Sequence, residues 1–364
     1  MSLTLKNISL ERQNEMHIYP TELELVAEEF NILLGTTLAG KTTMMRIMAG
    51  LEKPSTGEIW FDGQNVTRLS VQKRDVAMVY QQFINYPNFT VYDNIASPMR
   101  LMKMDKQSID KAIHEVAELL KLTPMLQRLP NELSGGQQQR TALARALVKQ
   151  ARLILLDEPL ANLDYKLREE LREELPRLFR NTGSTVVYAT TEPTEALLLG
   201  GYTAALFEGR VLQYGETGEA YRQPANRQSA QVFSDPPINI INVKLDNGAL
   251  ALPGGEQWRA REDIAALPAA EYQLGVRPHH VYLDTSKSAA AINQESEGLQ
   301  KISAKVLLTE ISGSESTVHA EAGSDTWISQ NHGIHPLDKG QMVDLLVDMR
   351  QCLLFDKRGK LVAS

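Results

Sequence analysis

The sequence has little cysteine and no long apolar run. Cys352 is the single cysteine among 364 residues, which rules out an internal disulfide. No run of 18 apolar residues occurs, so no membrane-spanning helix is predicted. The opening residues, MSLTLKNISLERQ, alternate as a strand does and lack the basic start and apolar core of a secretory signal. We therefore expect a cytosolic protein.

An excess of basic charge is also absent. The formal net charge is −7, which argues against a nucleic-acid groove as the main surface. There is no long internal repeat and no low-complexity tract. The composition, 43% hydrophobic and 23% charged, is typical of a soluble globular protein. The length is sufficient for two domains.

The chain changes character near SDPPIN (234–239), where two adjacent prolines indicate a junction. Residues 1–234 alternate predicted strands and helices, whereas residues 235–364 consist of short alternating segments punctuated by glycine, typical of a small β-barrel or sandwich. Strands are predicted at 28–35, 57–63, 75–80, 152–157 and 184–190, and helices at 41–50, 107–122 and 164–179. Pro176 should kink or end the last helix.

A phosphate-binding loop is predicted at 35–43, GTTLAGKTT, which fits G-x-x-x-x-G-K-[ST] between a strand and a helix. Loop amides and the helix N-terminus would bind phosphate, Lys41 would reach the β and γ phosphates, and the Thr42 hydroxyl would bind Mg²⁺. A chance match in a glycine-containing turn is the alternative. The residues predicted to bind the nucleotide here are Gly35, Thr36, Thr37, Leu38, Ala39, Gly40, Lys41, Thr42 and Thr43.

Two further motifs strengthen this prediction. LILLDEP (153–159) is an apolar strand ending in two acids: Asp157 would hold Mg²⁺ through water and Glu158 would polarise an attacking water. An acidic strand end without function is the alternative. In LSGGQQQR (133–140), Ser134 is placed to cap a helix whose first two residues are glycines. Glycine lowers helix stability, so the pair indicates close approach of an anion to the backbone.

The order of these motifs, followed by ANLD (161–164), resembles the ATP-binding subunits of ABC transporters. Gln81 stands where that family has its Q-loop glutamine, and the C-terminal region resembles the regulatory extension of maltose-type sugar and polyol importers. The resemblance implies an α/β P-loop NTPase core with a helical subdomain at about 85–150. A C-terminal all-β, OB-like regulatory domain would follow at 235–364.

The resemblance also implies ATP and Mg²⁺ as cofactors, with Thr42, Gln81 and Asp157 as metal ligands. Members of the family form head-to-tail dimers in which each nucleotide lies between one subunit's loop and the other's signature motif. In this chain the signature residues would be Ser134, Gly135, Gly136 and Gln137, and Asp164 would belong to the D-loop. Transmembrane permease subunits would dock on residues 81–105, which places the chain on the cytoplasmic face of the membrane, without nucleic acid.

Three positions depart from the family pattern. Thr37-Leu38 replaces the usual Ser-Gly of the loop, and Arg12 stands where an aromatic normally stacks on adenine, with Tyr19 as a weaker candidate. Thr191 stands where a histidine normally contacts the γ-phosphate. We therefore expect Glu158, Gln81 and Thr191 to form a catalytic set that binds ATP but turns it over slowly. This favours a heterodimer with a second ATPase subunit over a homodimer.

The predicted function is the energising subunit of an importer for a carbohydrate or polyol, with glycerol suggested by ATTEPTEALLLGG (189–201). Two alternatives stay open: an ABC ATPase that acts on nucleic acid or ribosomes, and a catalytically silent ATP-binding partner. The adjacent His279 and His280 are interpreted as an exposed strand end rather than a metal site. The acidic run REELREEL (168–175) is interpreted as a solvated helix face.

Overall fold

The computed structural model describes residues 2–82, 84–161, 163–180, 183–284 and 298–364. The chain divides into two compact units, Met1–Gly218 and Glu219–Ser364. Within these described ranges, no helix is both long and apolar enough to cross a membrane.

The first unit contains two sheets. A four-stranded antiparallel sheet has the order β2-β1-β4-β5, and a six-stranded sheet has the order β10-β9-β3-β8-β7-β6. All neighbours in the second sheet are parallel except β10, which is antiparallel to β9. The strands are β1 (Leu3–Arg12), β2 (Glu15–Leu25), β3 (Phe30–Leu34), β4 (Thr56–Phe61), β5 (Gln64–Asn65), β6 (Val76–Val79), β7 (Leu153–Asp157), β8 (Thr185–Thr190), β9 (Tyr202–Phe207) and β10 (Arg210–Glu216).

The carboxyl ends of the parallel strands determine where a ligand can bind. β3, β7 and β8 are buried along their whole length, as expected for strands covered on both faces. Because β8 lies between β3 and β7, the segments that follow these three strands emerge side by side at one edge. The phosphate loop, the Asp-Glu pair and Thr191 are those segments.

Helices pack around this sheet. They are α1 (Lys41–Ala49), α2 (Val91–Leu101), α3 (Lys106–Leu119), α4 (Gly135–Val148), α5 (Tyr165–Arg180) and α6 (Pro193–Leu199). In α1 the three methionines Met44, Met45 and Met48 are fully buried, so they pack the core. Gly50 ends this helix in the left-handed conformation at φ 77°.

Pro176 was predicted to kink or end α5, and it does not end the helix, which continues to Arg180. Leu171, Leu175 and Phe179 are buried along one side of this helix. Burial of this apolar stripe on both sides of the proline outweighs the loss of one backbone hydrogen bond.

The second unit is rich in β-structure, as predicted. Its sheets have the orders β13-β12-β11-β14-β20-β21 and β15-β19-β16-β17-β18. Helix α7 (Thr217–Arg222) leads into α8 (Arg227–Val232), and α9 (Glu262–Ala265) follows the third strand of the unit. The strands are β11 (Asn239–Asp246), β12 (Ala249–Ala251), β13 (Gln257–Arg259), β14 (Ala270–Val276), β15 (Val281–Leu283), β16 (Leu299–Ser312), β17 (Glu315–Ala322), β18 (Asp325–His332), β19 (Met342–Asp348), β20 (Leu353–Phe355) and β21 (Leu361–Ala363).

A buried asparagine joins the two sheets of this unit. The Asn239 side chain donates to the carbonyl oxygens of Val276 (3.0 Å) and Ile328 (2.9 Å) and accepts from the Ile328 amide at 2.6 Å. Val276 ends β14 of the first sheet, and Ile328 lies in β18 of the other. The Asn239 side chain therefore hydrogen-bonds to backbone groups of β18, which is an edge strand of its sheet.

Candidate nucleotide-binding site

The phosphate loop connects β3 to α1 in a shape that requires glycine at two positions. A Cβ added to Gly35 would meet the Leu206 carbonyl oxygen at 2.5 Å. Gly40 caps α1 with φ 100°, a conformation that side chains disfavour. The loop thus delivers the amide-bearing N-terminus of a nine-residue helix to the sheet edge, which is a favourable environment for an anion.

Leu38 has an unusual conformation within this loop. Its φ is 68°, in the left-handed region, and its side chain is 93% exposed. A branched apolar residue gains nothing from either property. The side chain points into solvent, so it leaves the interior of the loop open.

Lys41 is held inside the loop. Its side chain is 5% exposed, and Nζ donates to the carbonyl oxygens of Gly35 (2.8 Å) and Thr36 (3.1 Å). Nζ also lies 3.6 Å from Glu158 Oε1. Burial lowers the pKa of Lys41, and the charges of Glu158 and Asp157 oppose that shift. The ammonium group of Lys41 therefore lies at the centre of the loop.

The two acids after β7 have separate partners. The buried Asp157 accepts from the Thr42 hydroxyl at 3.1 Å, and burial raises the pKa of its carboxyl against that hydrogen bond. Glu158 adopts φ 47°, and its Oε2 accepts from Gln81 Nε2 at 2.9 Å. The structure thus assembles, around one loop, residues that were predicted from three separate motifs.

Thr191 directly follows a residue that is hydrogen-bonded to the phosphate loop. The amide of Gly35 donates to the carbonyl of Thr190 at 3.3 Å, and Thr191 itself is exposed. A hydroxyl at this position supplies a hydrogen bond but no positive charge. Its predicted contact with the γ-phosphate stays a prediction.

A buried polar network behind Thr191 was not predicted from the sequence. The Glu195 carboxylate accepts from the hydroxyls of Thr190 (2.6 Å) and Tyr188 (3.2 Å) and pairs with Arg172 at 3.1 Å. Arg172 also pairs with Glu192 and Glu169. The interpretation of residues 168–175 as a solvated face is therefore wrong at Arg172, which is nearly buried against α6.

The signature residues cap the N-terminus of their own helix. Ser134 Oγ accepts from the Gln137 amide at 3.4 Å, and Gln137 Oε1 accepts from the Ser134 amide at 2.9 Å, so the two form a capping box. Gly135 and Gly136 form the first turn of α4. Among the described residues, no hydrogen bond or ion pair joins 134–137 to the loop at 35–43. Their predicted service to a partner's nucleotide stays a prediction.

The role of Gln139 was not predicted from the sequence. This residue is buried, and Nε2 donates to the Pro159 carbonyl at 2.6 Å, directly after the Asp-Glu pair. The signature helix is thereby fastened to the segment that carries Glu158. A glutamine within QQQ (137–139) offered no signal that distinguishes it from its neighbours.

Two other predicted residues have local partners. Asp164 Oδ1 accepts from the Leu167 amide at 3.0 Å and caps α5. Arg12, at the end of β1, pairs with Glu52, which also lies 3.9 Å from Arg46. Its guanidinium is thus engaged, and its contact with adenine stays a prediction. The ring of Tyr19 is covered by Arg210 at 3.4 Å from the ring centroid.

These residues fit a magnesium nucleotide. The helix N-terminus and the buried Lys41 suit phosphate oxygens, whereas Thr42, Asp157 and Gln81 offer the oxygen ligands that Mg²⁺ prefers. In the part of the chain that the structure describes, no cluster of three or more His, Cys, Asp or Glu side chains suited to a metal is present, at His279 and His280 or elsewhere. Fold and site together define a P-loop ATPase.

Comparison with known proteins gives the family. The family model described as "ABC transporter" matches residues 19–161. The trehalose/maltose import ATP-binding protein MalK of Thermococcus litoralis is 38% identical over 350 residues, which cover 92% of each chain. The oligosaccharides import ATP-binding protein MsmX of Bacillus subtilis is 33% identical over 351 residues, 94% of each chain.

A solved structure of similar fold is the dimeric post-hydrolysis state of the ATP-binding cassette MJ0796, bound to ADP and Pi. It is 29% identical, with a TM-score of 0.54, and the similarity covers 59% of this chain and 98% of that one. The present chain therefore belongs to the family of ABC transporter ATP-binding proteins. It is an ATPase of the class that couples ATP hydrolysis to transport.

Proposed function

We propose that this chain is the ATP-hydrolysing subunit of an importer for a carbohydrate or a polyol such as glycerol. The observation that carries the proposal is the extent of similarity to MalK and MsmX. It covers 92% and 94% of this chain, so it extends into the β-rich second unit as well as the ATPase unit. The names of both relatives describe import of sugars.

The test is purification of the tagged chain from membranes of its native cells in mild detergent. We expect permease subunits to co-purify and the ATPase rate of the complex to rise when a carbohydrate or glycerol is supplied with its binding protein. Recovery of ribosomes or nucleic acid in place of permeases would contradict the proposal.

Within the site, Lys41 and the first turn of α1 would hold the phosphates. Thr42, Gln81 and Asp157 would hold Mg²⁺, which would neutralise charge on the phosphates. Glu158 is the base that orients and deprotonates the attacking water, and Gln81 positions its carboxylate through the 2.9 Å hydrogen bond. Exchange of Glu158 for Gln should retain ATP and, when the partner's site is inactivated, lower the remaining turnover at this chain's own site by about 100-fold or more. Glu174→Gln, a change of a partly exposed residue on α5 that pairs with Arg177, is the matched control.

The chain's own site is the weaker of two in a heterodimer. Thr191 lacks the cationic contact, and loss of one positioned γ-phosphate contact costs roughly 3 kcal/mol in the transition state, about 100-fold in rate. The signature residues keep their helix-capping geometry and would complete the partner's site. In the complex, Thr191→His should raise the rate, whereas inactivation of the partner's site should abolish most of it. An unchanged rate after the second change would contradict the asymmetry.

Permease subunits would dock on a groove between the edge strand β6 and helices α2 and α4. This groove has a volume of about 460 Å³ and an apolar lining that includes Tyr86, Pro98, Leu101 and Met102, with Arg145 and Lys149 at its polar side. Leu101 is largely exposed there. Such docking places the chain on the cytoplasmic face of the membrane. Leu101→Glu should release the permeases from the purified complex while leaving ATP binding by the isolated chain intact.

A further inference from the structure

The base proposed for ATP hydrolysis, Glu158, has a strained backbone. Its φ of 47° lies in the left-handed region, which residues with a Cβ enter at a cost in free energy. In this conformation its carboxylate accepts from Gln81 Nε2 at 2.9 Å and lies 3.6 Å from Lys41 Nζ. Such strain persists only where surrounding groups hold it. The groups bonded to the Glu158 backbone therefore determine where its carboxylate lies.

Gln139 of α4 is one of those groups. Its Nε2 donates to the Pro159 carbonyl at 2.6 Å and, at 3.5 Å, to the Glu158 carbonyl. On the other side, the Glu158 amide donates to the Ala189 carbonyl of β8 at 3.0 Å. The Ala161 amide closes the turn by donating to the Glu158 carbonyl at 3.3 Å. The strained residue is therefore held between β8 and α4.

Packing alone does not explain the buried amide of Gln139. The residue is 1% exposed, and within the described part of the chain no group donates a hydrogen bond to its Oε1. A buried oxygen without a donor costs free energy, whereas a methionine would occupy a similar volume without that cost. A glutamine at this position therefore points to its donor, Nε2, as the group that matters.

Helix α4 also holds the segment that carries Gln81. Asn85 Nδ2 donates to the Gln138 carbonyl at 2.8 Å. Gln138 and Gln139 are consecutive, so adjacent residues of one helix are bonded to the two segments whose side chains meet. That meeting is the hydrogen bond from Gln81 to Glu158. Helix α4 is therefore a common support for both partners of this hydrogen bond.

We propose that Gln139 is a positioning residue for ATP hydrolysis, which keeps the Glu158 carboxylate in place by holding the Glu158 and Pro159 carbonyls. The proposal rests on the function proposed above, in which Glu158 is the base. Without the donor, the turn relaxes part of the time and the carboxylate leaves the position from which it deprotonates water. Both acceptors of Gln139 follow β7, so loss of its amide lowers turnover and leaves the grip on the phosphates intact.

Gln139→Met removes the donor with little change of volume, and it also removes the unpaired oxygen. Gln138→Met is the matched control, because the Gln138 side chain donates to the Leu133 carbonyl at 3.3 Å and not to the segment after β7. Both isolated variants should melt within about 3 °C of the parent. Gln139→Leu is prepared in parallel, and of the two Gln139 variants the one closer to the parent in melting temperature is used.

Turnover at this chain's own site is measured by phosphate release in the complex whose partner site is inactivated. We expect Gln139→Met to lower kcat by about tenfold or more while the KM for ATP changes by less than about twofold. Gln138→Met should keep both constants within about twofold of the parent. In the Glu158→Gln background, Gln139→Met should have no further effect, because a positioning residue acts only through the group that it holds.

Hydrogen exchange measures the position of the turn without a partner subunit. The isolated chain is followed with Mg²⁺ and the non-hydrolysable analogue AMP-PNP. The amides of Glu158 and Ala161 are both hydrogen-bonded in the turn, and in Gln139→Met they should exchange about tenfold faster or more. A peptide covering β3 should exchange as in the parent, as should every peptide of Gln138→Met outside α4.

Three results would overturn the role of Gln139. They are an unchanged kcat in Gln139→Met, unchanged exchange at 158–161, and an equal loss of turnover whether or not Glu158 is present. The proposed function fails separately, if the isolated chain does not bind AMP-PNP or if Glu158→Gln leaves own-site turnover unchanged. An inactive Glu158→Gln beside a fully active Gln139→Met refutes only the positioning role.

Discussion

The hydroxyl of Thr42 donates to the Asp157 carboxylate across 3.1 Å, joining the first turn of α1 to the end of β7. Asp157 is 2% exposed, and its burial is the main cause of its raised pKa. Asp157 thus carries a buried negative charge. A bound metal ion would neutralise this charge, whereas in the free protein the hydrogen bond from Thr42 offsets its burial only in part.

Asp157→Asn should stabilise the nucleotide-free chain and impair magnesium-dependent turnover. Because the folded-state pKa lies above the unfolded one, ionisation of this carboxyl costs stability as pH rises through the folded-state pKa, so the gain is present at pH 7. We expect the variant to be more stable by about 1 kcal/mol, which corresponds to a rise of roughly 2–4 °C in melting temperature. Calorimetry without nucleotide, together with the magnesium dependence of the ATPase, measures both effects. A lower melting temperature of the variant would contradict this account.

Arg172 and Glu195 should show strong coupling. Arg172→Met leaves the buried Glu195 carboxylate without its cation and should cost about 3 kcal/mol. The double variant with Glu195→Gln should recover part of that loss, because the uncompensated charge is gone. Urea unfolding of the four species gives the coupling energy. Arg177→Met, an exposed change on the same helix, should cost less than about 0.5 kcal/mol.

Asn239→Ala should destabilise the second unit by about 3 kcal/mol. It leaves the Ile328 amide and carbonyl and the Val276 carbonyl without their side-chain partner in a buried setting. Asn242→Ala, on the exposed face of the same strand, is the control and should have little effect. Two of the three tryptophans, Trp258 and Trp327, are buried in this unit, so their fluorescence reports its unfolding.

The stability of the second unit should fall in mild acid through His280. Burial, with the neighbouring His279 and Arg277, lowers the pKa of His280 to about 4 against a smaller opposing effect of Asp348. The unfolded chain therefore binds an extra proton between about pH 6.5 and 4, so stability is lost as pH falls through that window. Between pH 7 and 4.5, the free energy of unfolding of the second unit should fall by about 1 kcal/mol less in the His280→Gln variant than in the parent protein. Parallel losses in the two proteins would exclude His280 as the cause.

The sequence predicted those features of the site that depend on short spacing. The glycines and Lys41 of the loop, and the Asp157-Glu158 pair after an apolar strand, are local patterns, and the parallel sheet brings them together. The capping of α4 by Ser134 follows from the same kind of pattern. For this reason the central strands and α1 lie close to their predicted positions.

Features that depend on packing were not predictable. Arg172 and Glu195 are 23 positions apart, and only the seating of α5 against α6 makes them partners. Asn239 reaches a strand 89 positions away. The path of α5 through Pro176 likewise depends on burial of Leu171, Leu175 and Phe179 rather than on local propensity. The direction of the Leu38 side chain could not be read from its loop pattern, which specifies only the backbone.

The hydrogen bond from Gly35 to Thr190 joins the phosphate loop to the end of β8. Thr190 also donates to Glu195, whose carboxylate holds Arg172 of α5. A contiguous series of hydrogen bonds and one ion pair therefore connects the phosphate loop to α5. A ligand bound at the loop would act on α5 through these bonds without touching it.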